Sequence, residues 1–136
     1  MAPDKHIRKE VAGKITAAAV VLVTEQVVPI AMDTPEMYVL ISSQTRNRTA
    51  VSKQNYEWLG SITLTLVKIN EKGYISSAEL DDLDTQVCAV MDELEVPGFK
   101  TNFSRFFDSV TDVIEGPANT MSRKHIIYEI WVNRVV

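Results

Sequence analysis

The chain has 136 residues, 46% of them hydrophobic and 24% charged, which is enough for one core, too short for two, and too apolar for wholesale disorder. A formal net charge of −4 weighs against nucleic acid as the main partner, since phosphate binding needs clustered positive charge, although a local basic patch stays open. The single cysteine, Cys88, excludes an intramolecular disulfide and suits a reducing compartment.

The first segment, Asp4 to Thr24, is predicted to be a helix. Pro3 precedes it and Asp4 can serve as N-cap. Ile7, Val11, Ile15, Ala18 and Leu22 recur at steps of three and four, so they share one face. The apolar run Ala17–Val23 falls far short of the roughly 20 residues that a bilayer span needs, and Glu25-Gln26-Val27-Val28-Pro29 behind it makes a poor signal-peptide cleavage site. The expectation is a cytosolic protein with no membrane partner. Pro29 and Pro35 break the chain, with room for a short strand near Val27–Ala31.

From Met37 the period changes to two, and Met37, Val39 and Ile41 alternate with Tyr38 and Leu40 as in a strand. A polar stretch runs on from Gln44 to Tyr56, carrying Arg46, Arg48 and Lys53. It has no Gly or Pro, which a tight hairpin turn usually shows, so it reads as a long loop or as a hairpin arm extending beyond the body. Tyr56–Ile69 is the second strand, with Trp58, Ile62, Leu64 and Leu66 on one side. Ser76 and Glu79 fit a capping box ahead of the second helix. Its apolar stripe is Leu80, Leu83, Val87, Val90, Met91 and Leu94, and Pro97-Gly98 stops it. Strands at Phe103–Ile114 and Met121–Val135 close the chain around a turn at Gly116–Asn119. Ile126, Tyr128, Ile130 and Val132 share one side of the last strand. The resulting class is α+β, in the order α-β-β-α-β-β. The natural architecture is an antiparallel sheet of four or five strands with two helices packed on one face.

Chemistry-bearing residues are sparse. His6 and His125 lie in different elements, and with Cys88 they would make a metal site only by coincidence. They read as a surface histidine and a strand-exposed one. Cys88 sits beside the apolar stripe like a small buried hydrophobe, and Asp84 four residues earlier raises a thiol pKa rather than lowering it. Asp81, Asp82 and Asp84 suit the first turns of a helix, where the macrodipole favours acids. The sequence contains no phosphate-binding glycine loop, nucleophile elbow or calcium loop. No catalytic, metal or cofactor-binding residue is assigned. What stands out is surface: the weakly basic arm, and an aromatic surplus on the last two strands. Phe103, Phe106, Phe107, Ile127 and Trp131 cannot all face one core, so some should cover a neighbouring subunit. The candidate partner-contact residues are Arg46, Arg48, Lys53, Phe103, Phe107, Ile127 and Trp131.

This order of elements resembles the tail-terminator and tail-completion proteins of tailed bacteriophages and the related ring proteins of the phage neck. The resemblance runs through the N-terminal helix, the "Met-Tyr-Val-Leu-Ile" strand at Met37–Ile41 and the long polar hairpin. It continues in "Gly-Ser-Ile-Thr-Leu-Thr-Leu-Val" at Gly60–Val67, the helix Ser76–Leu94 and the closing "Ile-Ile-Tyr-Glu-Ile-Trp-Val" at Ile126–Val132. It implies a non-enzymatic virion protein, made in the host cytoplasm, that forms a homo-oligomeric ring of roughly six or twelve subunits. That ring terminates the tail or joins it to the head, contacts portal, adaptor and tail proteins, and passes DNA through its bore without sequence-specific binding. A net negative charge suits a bore along which DNA slides. By position, the hairpin at Gln44–Tyr56 corresponds to an arm that meets the neighbouring ring or lines the channel.

Three other readings stay open. A small oligomeric ligand-binding or regulatory domain would show a compact pocket. An enzyme would show perturbed carboxylates near Asp81, Asp108 or Asp112. A nucleic-acid binder would gather Arg46, Arg48, Lys53, Arg105, Arg123 and Lys124 on one face.

Overall fold

Two helices and five strands succeed one another as α1 (Asp4–Ala19), β1 (Leu22–Thr24), β2 (Met37–Val51), β3 (Tyr56–Glu71), α2 (Ala78–Asp92), β4 (Phe99–Glu115) and β5 (Asn119–Arg134). The computed structural model describes residues 4–25, 36–51, 56–71, 73 and 78–134, with side chains at 46–51, 56, 58 and 134 outside the description. The expected short strand near Val27–Ala31, the Ser76 cap and Lys53 therefore lie outside the described residues.

The strands form one sheet in the order β1-β2-β3-β5-β4. β2, β3, β5 and β4 are antiparallel neighbours, but β1 runs parallel to β2, pairing Leu22 with Tyr38 and Thr24 with Leu40. The sheet is thus mixed rather than purely antiparallel, and the order is α-β-β-β-α-β-β. The cause lies at the end of α1. The expected helix to Thr24 stops at Ala19, because Val20 takes a left-handed conformation with φ 53° while its amide still donates to the Thr16 carbonyl at 3.1 Å. This is the backbone of a helix C-terminal stop, usually a glycine's, and a β-branched side chain occupies it at a strain cost of roughly 1–3 kcal/mol. The chain beyond it turns back along β2. Leu22, expected on the helix face, is instead a half-exposed strand residue, and Ala18 is exposed.

Both helices cover one face of the sheet. Ile7, Val11 and Ile15 of α1 and Leu80, Leu83, Val87 and Met91 of α2 are buried against the inward rows of β2, β3 and β5. Those rows are Val39 and Ile41; Ile62, Leu64 and Leu66; and Ile126, Tyr128, Ile130 and Val132. They alternate as strand periodicity requires. The end of α2 tightens through Glu93 and Leu94 amides donating to the Val90 and Met91 carbonyls, both at 3.3 Å. Buried Leu94 and Val96 come next, and then Pro97-Gly98 turns the chain. Gly98 has φ 83° and the Phe99 amide donates to the Val96 carbonyl at 3.1 Å, a Pro-Gly turn that needs a residue without a Cβ.

Two lysines under α2 fix its start to the sheet. Lys124 of β5 pairs with Asp84 at 2.5 Å and Asp81 at 3.2 Å. Lys68 of β3 pairs with Glu79 and Glu36, both at 3.1 Å. Asp81 and Asp84, which the sequence suggests as dipole partners, therefore also anchor α2 to the sheet. Burial alone would lower the Lys68 pKa, but the two glutamates outweigh it and the net shift is upward.

Leu83→Ala is expected to cost about 2–5 kcal/mol, because it opens a cavity between α2 and the sheet. Asp81→Ala, which removes only the longer and more exposed of the two contacts to Lys124, should cost less than about 1 kcal/mol. Urea denaturation compares the two, and equal losses would show that Leu83 does not seal the core.

Candidate functional site

The face of the sheet turned away from the helices is where the unexplained side chains gather. Its centre is polar and closely connected. Arg123 of β5 donates two parallel hydrogen bonds to Asp112 of β4, at 2.8 and 2.6 Å. His125 Nε2 lies 3.2 Å from the same carboxylate, and His125 Nδ1 lies 2.9 Å from the Thr65 hydroxyl. Thr65 donates onward to Ser42 at 3.0 Å. Ser42 is available because it is the unpaired residue of a bulge between Ile41 and Ser43. The network thus crosses four strands, from β4 through β5 and β3 to β2. It holds His125 half-buried and bonded at both nitrogens rather than as a strand-exposed residue. The Arg123 guanidinium beside Asp112 holds that carboxyl below its usual range, with His125 adding to the effect and partial burial opposing it. Close by, Tyr38 and Val67 are buried although they face away from the helices, and burial pushes the Tyr38 phenol up against the opposing charge of Arg123.

The network could have been located from the turn alone. A hairpin turning at Gly116–Asn119 pairs Glu115 with Thr120, and counting back from there sets Asp112 against Arg123 and Val110 against His125. What the sequence does not show is that β3, about 60 residues earlier, delivers Thr65 to His125.

Beyond the polar centre the same face becomes aromatic. Phe103 and Trp131 are register partners whose rings meet edge to face at 5.5 Å, and Arg105 lies over the Phe103 ring at 4.3 Å from its centroid. Arg105 also reaches Glu129 at 3.4 Å. The Trp131 indole N–H is buried with no hydrogen-bond partner among the described residues. Phe103, Ile127 and Trp131 are each half-buried on this face. Phe107 behaves differently. A second bulge, between Phe106 and Asp108, leaves it without a register partner and 62% exposed. Phe106 points to the helix side, where its ring meets Tyr128 edge to face at 6.0 Å, yet it too is half-exposed. The aromatic surplus is therefore split over both faces of β4 rather than gathered on one. Val110, Val113 and Ile114, which the sequence pattern does not single out, extend this exposed apolar surface along the strand.

Arg46 and Arg48 lie in β2, in register with Gly60 and Trp58, so this part of the polar stretch is strand and not loop. The ladder of β2 with β3 continues to Val51 and Tyr56. Among the described side chains, Lys124 and Arg123 do not converge. Lys124 faces α2 and its acids, while Arg123 faces the opposite side of the sheet and is held by Asp112.

The remaining candidates are structural. The Cys88 thiol donates to Asp84 at 3.0 Å, and burial first, then the neighbouring acids, push its pKa up to about 11. Tyr128 donates to Asp92 at 2.8 Å, fastening β5 to α2, and burial raises its phenol. Among the described residues no three His, Cys, Asp or Glu side chains cluster as metal ligands. Two grooves among the described residues are open to solvent. One of about 620 Å3 runs between α1 and β1, lined by Lys5, Arg8 and Lys9, with Arg8 already tied to Glu25 at 2.6 Å and to Gln44 at 2.7 Å. No described helix is long and apolar enough to cross a membrane.

Comparison with known proteins places the fold. No family model matches the sequence, and no curated protein matches it either. A solved structure does match: a chain from the virion of a native gene transfer agent particle, with a TM-score of 0.74 and 13% identity, covering 97% of this chain and 98% of that one. The two share one fold over nearly their whole lengths.

Asp112→Asn should cost on the order of 1 kcal/mol near neutral pH, because the carboxylate is partly solvent-screened. Since the folded pKa lies below the unfolded value of about 3.9, this stabilisation is present above that value and is lost as the pH falls through the folded one. Urea midpoints of the two proteins should converge at acid pH; a gap that persists there would mean the contact is not ionic. A second expectation concerns Cys88: its raised pKa leaves little thiolate, so alkylation at pH 8 should run about 100-fold slower than for an ordinary free thiol. Reaction at the free-thiol rate would show that Cys88 is not held against Asp84.

Proposed function

We propose that this chain is a structural protein of a phage-like virion, assembling as a homo-oligomeric ring at the neck or at the head-proximal end of the tail. In that position the ring ends the tail or joins it to the head, and DNA passes through its bore. The observation that carries the reading is the end-to-end fold likeness to a virion chain, which leaves almost no part of either protein unmatched. Fold alone is a weak warrant for function. The surface adds weight, because β4 leaves Phe106, Phe107, Val110, Val113 and Ile114 exposed on one strand, more than a stably monomeric edge ordinarily carries. A ligand-binding role is less well supported, since the grooves are open and the lining Arg8 is engaged within the chain. In the ring the hairpin at residues 44–56 serves as the arm that reaches the next component.

The test is made on particles. Electron microscopy and mass spectrometry of particles from the producing strain should find the chain in a ring at the head-to-tail joint, and loss of its gene should leave heads and tails unjoined or tails of uncontrolled length. Absence from purified particles would overturn the reading. Replacing Arg46 and Arg48 by Ser should leave the circular dichroism spectrum intact while blocking assembly, because the pairing of this part of β2 with β3 is made by the backbone.

A further inference from the structure

We propose that neighbouring copies join by strand addition, the open edge of β4 in one copy pairing antiparallel with the open distal edge of β2 in the next. The inference rests on the ring reading above and specifies the contact that closes the ring.

Among the described residues β4 pairs with no strand but β5, so its other edge is open to a further strand over Val110–Glu115. Such an edge is a template for another strand, and proteins that must stay monomeric blunt it with Lys, Pro or a short length. β4 is 17 residues long, and its half from Asp108 to Glu115 contains no Lys and no Pro. That half is also where Val110, Val113 and Ile114 stand 54%, 42% and 44% exposed, on both faces of the strand. A strand laid alongside would cover all three at once, whereas a partner stacked on one face would not.

The opposite edge of the same sheet supplies the matching strand. β1 pairs only with Tyr38–Leu40, so among the described residues the rest of β2, from Ile41 to Val51, is paired as a strand on the β3 side alone, while the Gln44 side chain reaches α1. Because β2, β3, β5 and β4 alternate in direction, β4 runs opposite to β2. A second copy brought alongside by rotation therefore presents β2 antiparallel to β4, and the sheet continues from copy to copy. That contact is heterologous and closes a ring. Pairing β4 with β4 about a two-fold axis would end at a dimer and leave β2 uncovered.

The register is set by charge and apolar cover. Across the sheet Ile41 is level with Leu64, Ile126 and Ser109, and Ala50 with Glu57, Asn133 and Lys100. An unstaggered neighbour would set Ile41–Ala50 beside Lys100–Ser109, placing Arg46 and Arg48 near Lys100 and Arg105 and leaving Val110, Val113 and Ile114 in water. A sheet that closes on itself staggers its strands. A stagger toward the β4–β5 turn sets the β2 stretch, which carries Arg46 and Arg48 and no acid, beside the stretch carrying Asp108, Asp112 and Glu115 and no base. Asp112 is already met by Arg123, so Asp108 and Glu115 carry most of this attraction. Strands about 4.8 Å apart bring the two stretches well within a Debye length. Strand alternation is kept when Asn47, in backbone register with Leu59, meets Val110, in register with His125.

The test is cross-linking in particles and in the purified full chain, with Cys88→Ser as background and a short bis-maleimide as probe. Combining Asn47→Cys with Val110→Cys in one chain should give a ladder of covalent multimers, and each substitution alone should give none. Circular dichroism confirms that each variant is folded; Val110 is exposed, so its replacement leaves the core intact. A covalent dimer from Val110→Cys alone would overturn the proposal in favour of a two-fold contact. A ladder from Thr45→Cys with Arg105→Cys, which are level without stagger, in place of the first pair would overturn the register. A ring visible by microscopy with no ladder from any pair would overturn strand addition and leave the ring reading standing. Absence of the chain from particles would remove both.

Discussion

Val39, Leu64, Leu66 and Ile126 on the sheet, and Val11, Ile15, Val87 and Met91 on the helices, are wholly screened from solvent, and they meet across a single seam. The constraint behind the rest of the molecule is that both helices lie on this one face. Backbone groups of β3 and β5 are satisfied by ladders on both edges, but among the described residues the second face has no helix to cover it. The sequence answers with small polar side chains at its middle, where Thr63, Thr65, Ser42 and Ser43 hydrogen-bond to one another across β2 and β3. A charged cluster next to them is bonded internally, so Asp112, Arg123 and His125 satisfy each other rather than reaching out to a ligand.

This division separates the strands by role. β3 and β5 are flanked on both edges and carry the core; β4 is flanked on one side and carries what the core has no room for. The bulge at Phe107 matters in that light. By inserting one residue it reverses which face each later side chain takes, sending Asp108, Val110 and Asp112 outward and Val113 toward the helix side. Without it, Asp112 could not meet Arg123. The bulge therefore accounts both for the polar cluster and for the exposure of Phe107.

Most of the core was legible because periodicity reports burial directly: the inward rows of β3 and β5 and the stripe of α2 are the residues that alternation and the 3.6-residue repeat select. The end of α1 was not legible, since Ala17-Ala18-Ala19-Val20-Val21 carries no breaker, and the stop comes from a left-handed valine that local propensity argues against. The parallel β1 went unseen for the same reason. The arm was half legible. Its polarity was plain, but its strand character rests on pairing with β3, and no turn residue announced it. On the surface, the sequence marks Phe103 and Trp131 as aromatics in excess of one core, but not that the two rings meet each other edge to face. Val110, Val113 and Ile114 were missed because, in sequence, they look like ordinary strand residues; only their place on an edge exposes them.

The long ladder between β3 and β5 also governs when the molecule can be finished. Partners along it are 48 residues apart at Glu71–Asn119 and 76 apart at Glu57–Asn133. A ribosome adding 5–20 residues per second leaves β3 without that neighbour for roughly 2–15 seconds after it is made. During that interval the β2–β3 hairpin holds Ile62, Leu64 and Leu66 with half of its sheet missing. The nascent chain therefore passes through a stage in which a long, apolar strand edge is bare, and in a cell making many copies at once that stage is when chaperones have most to shield.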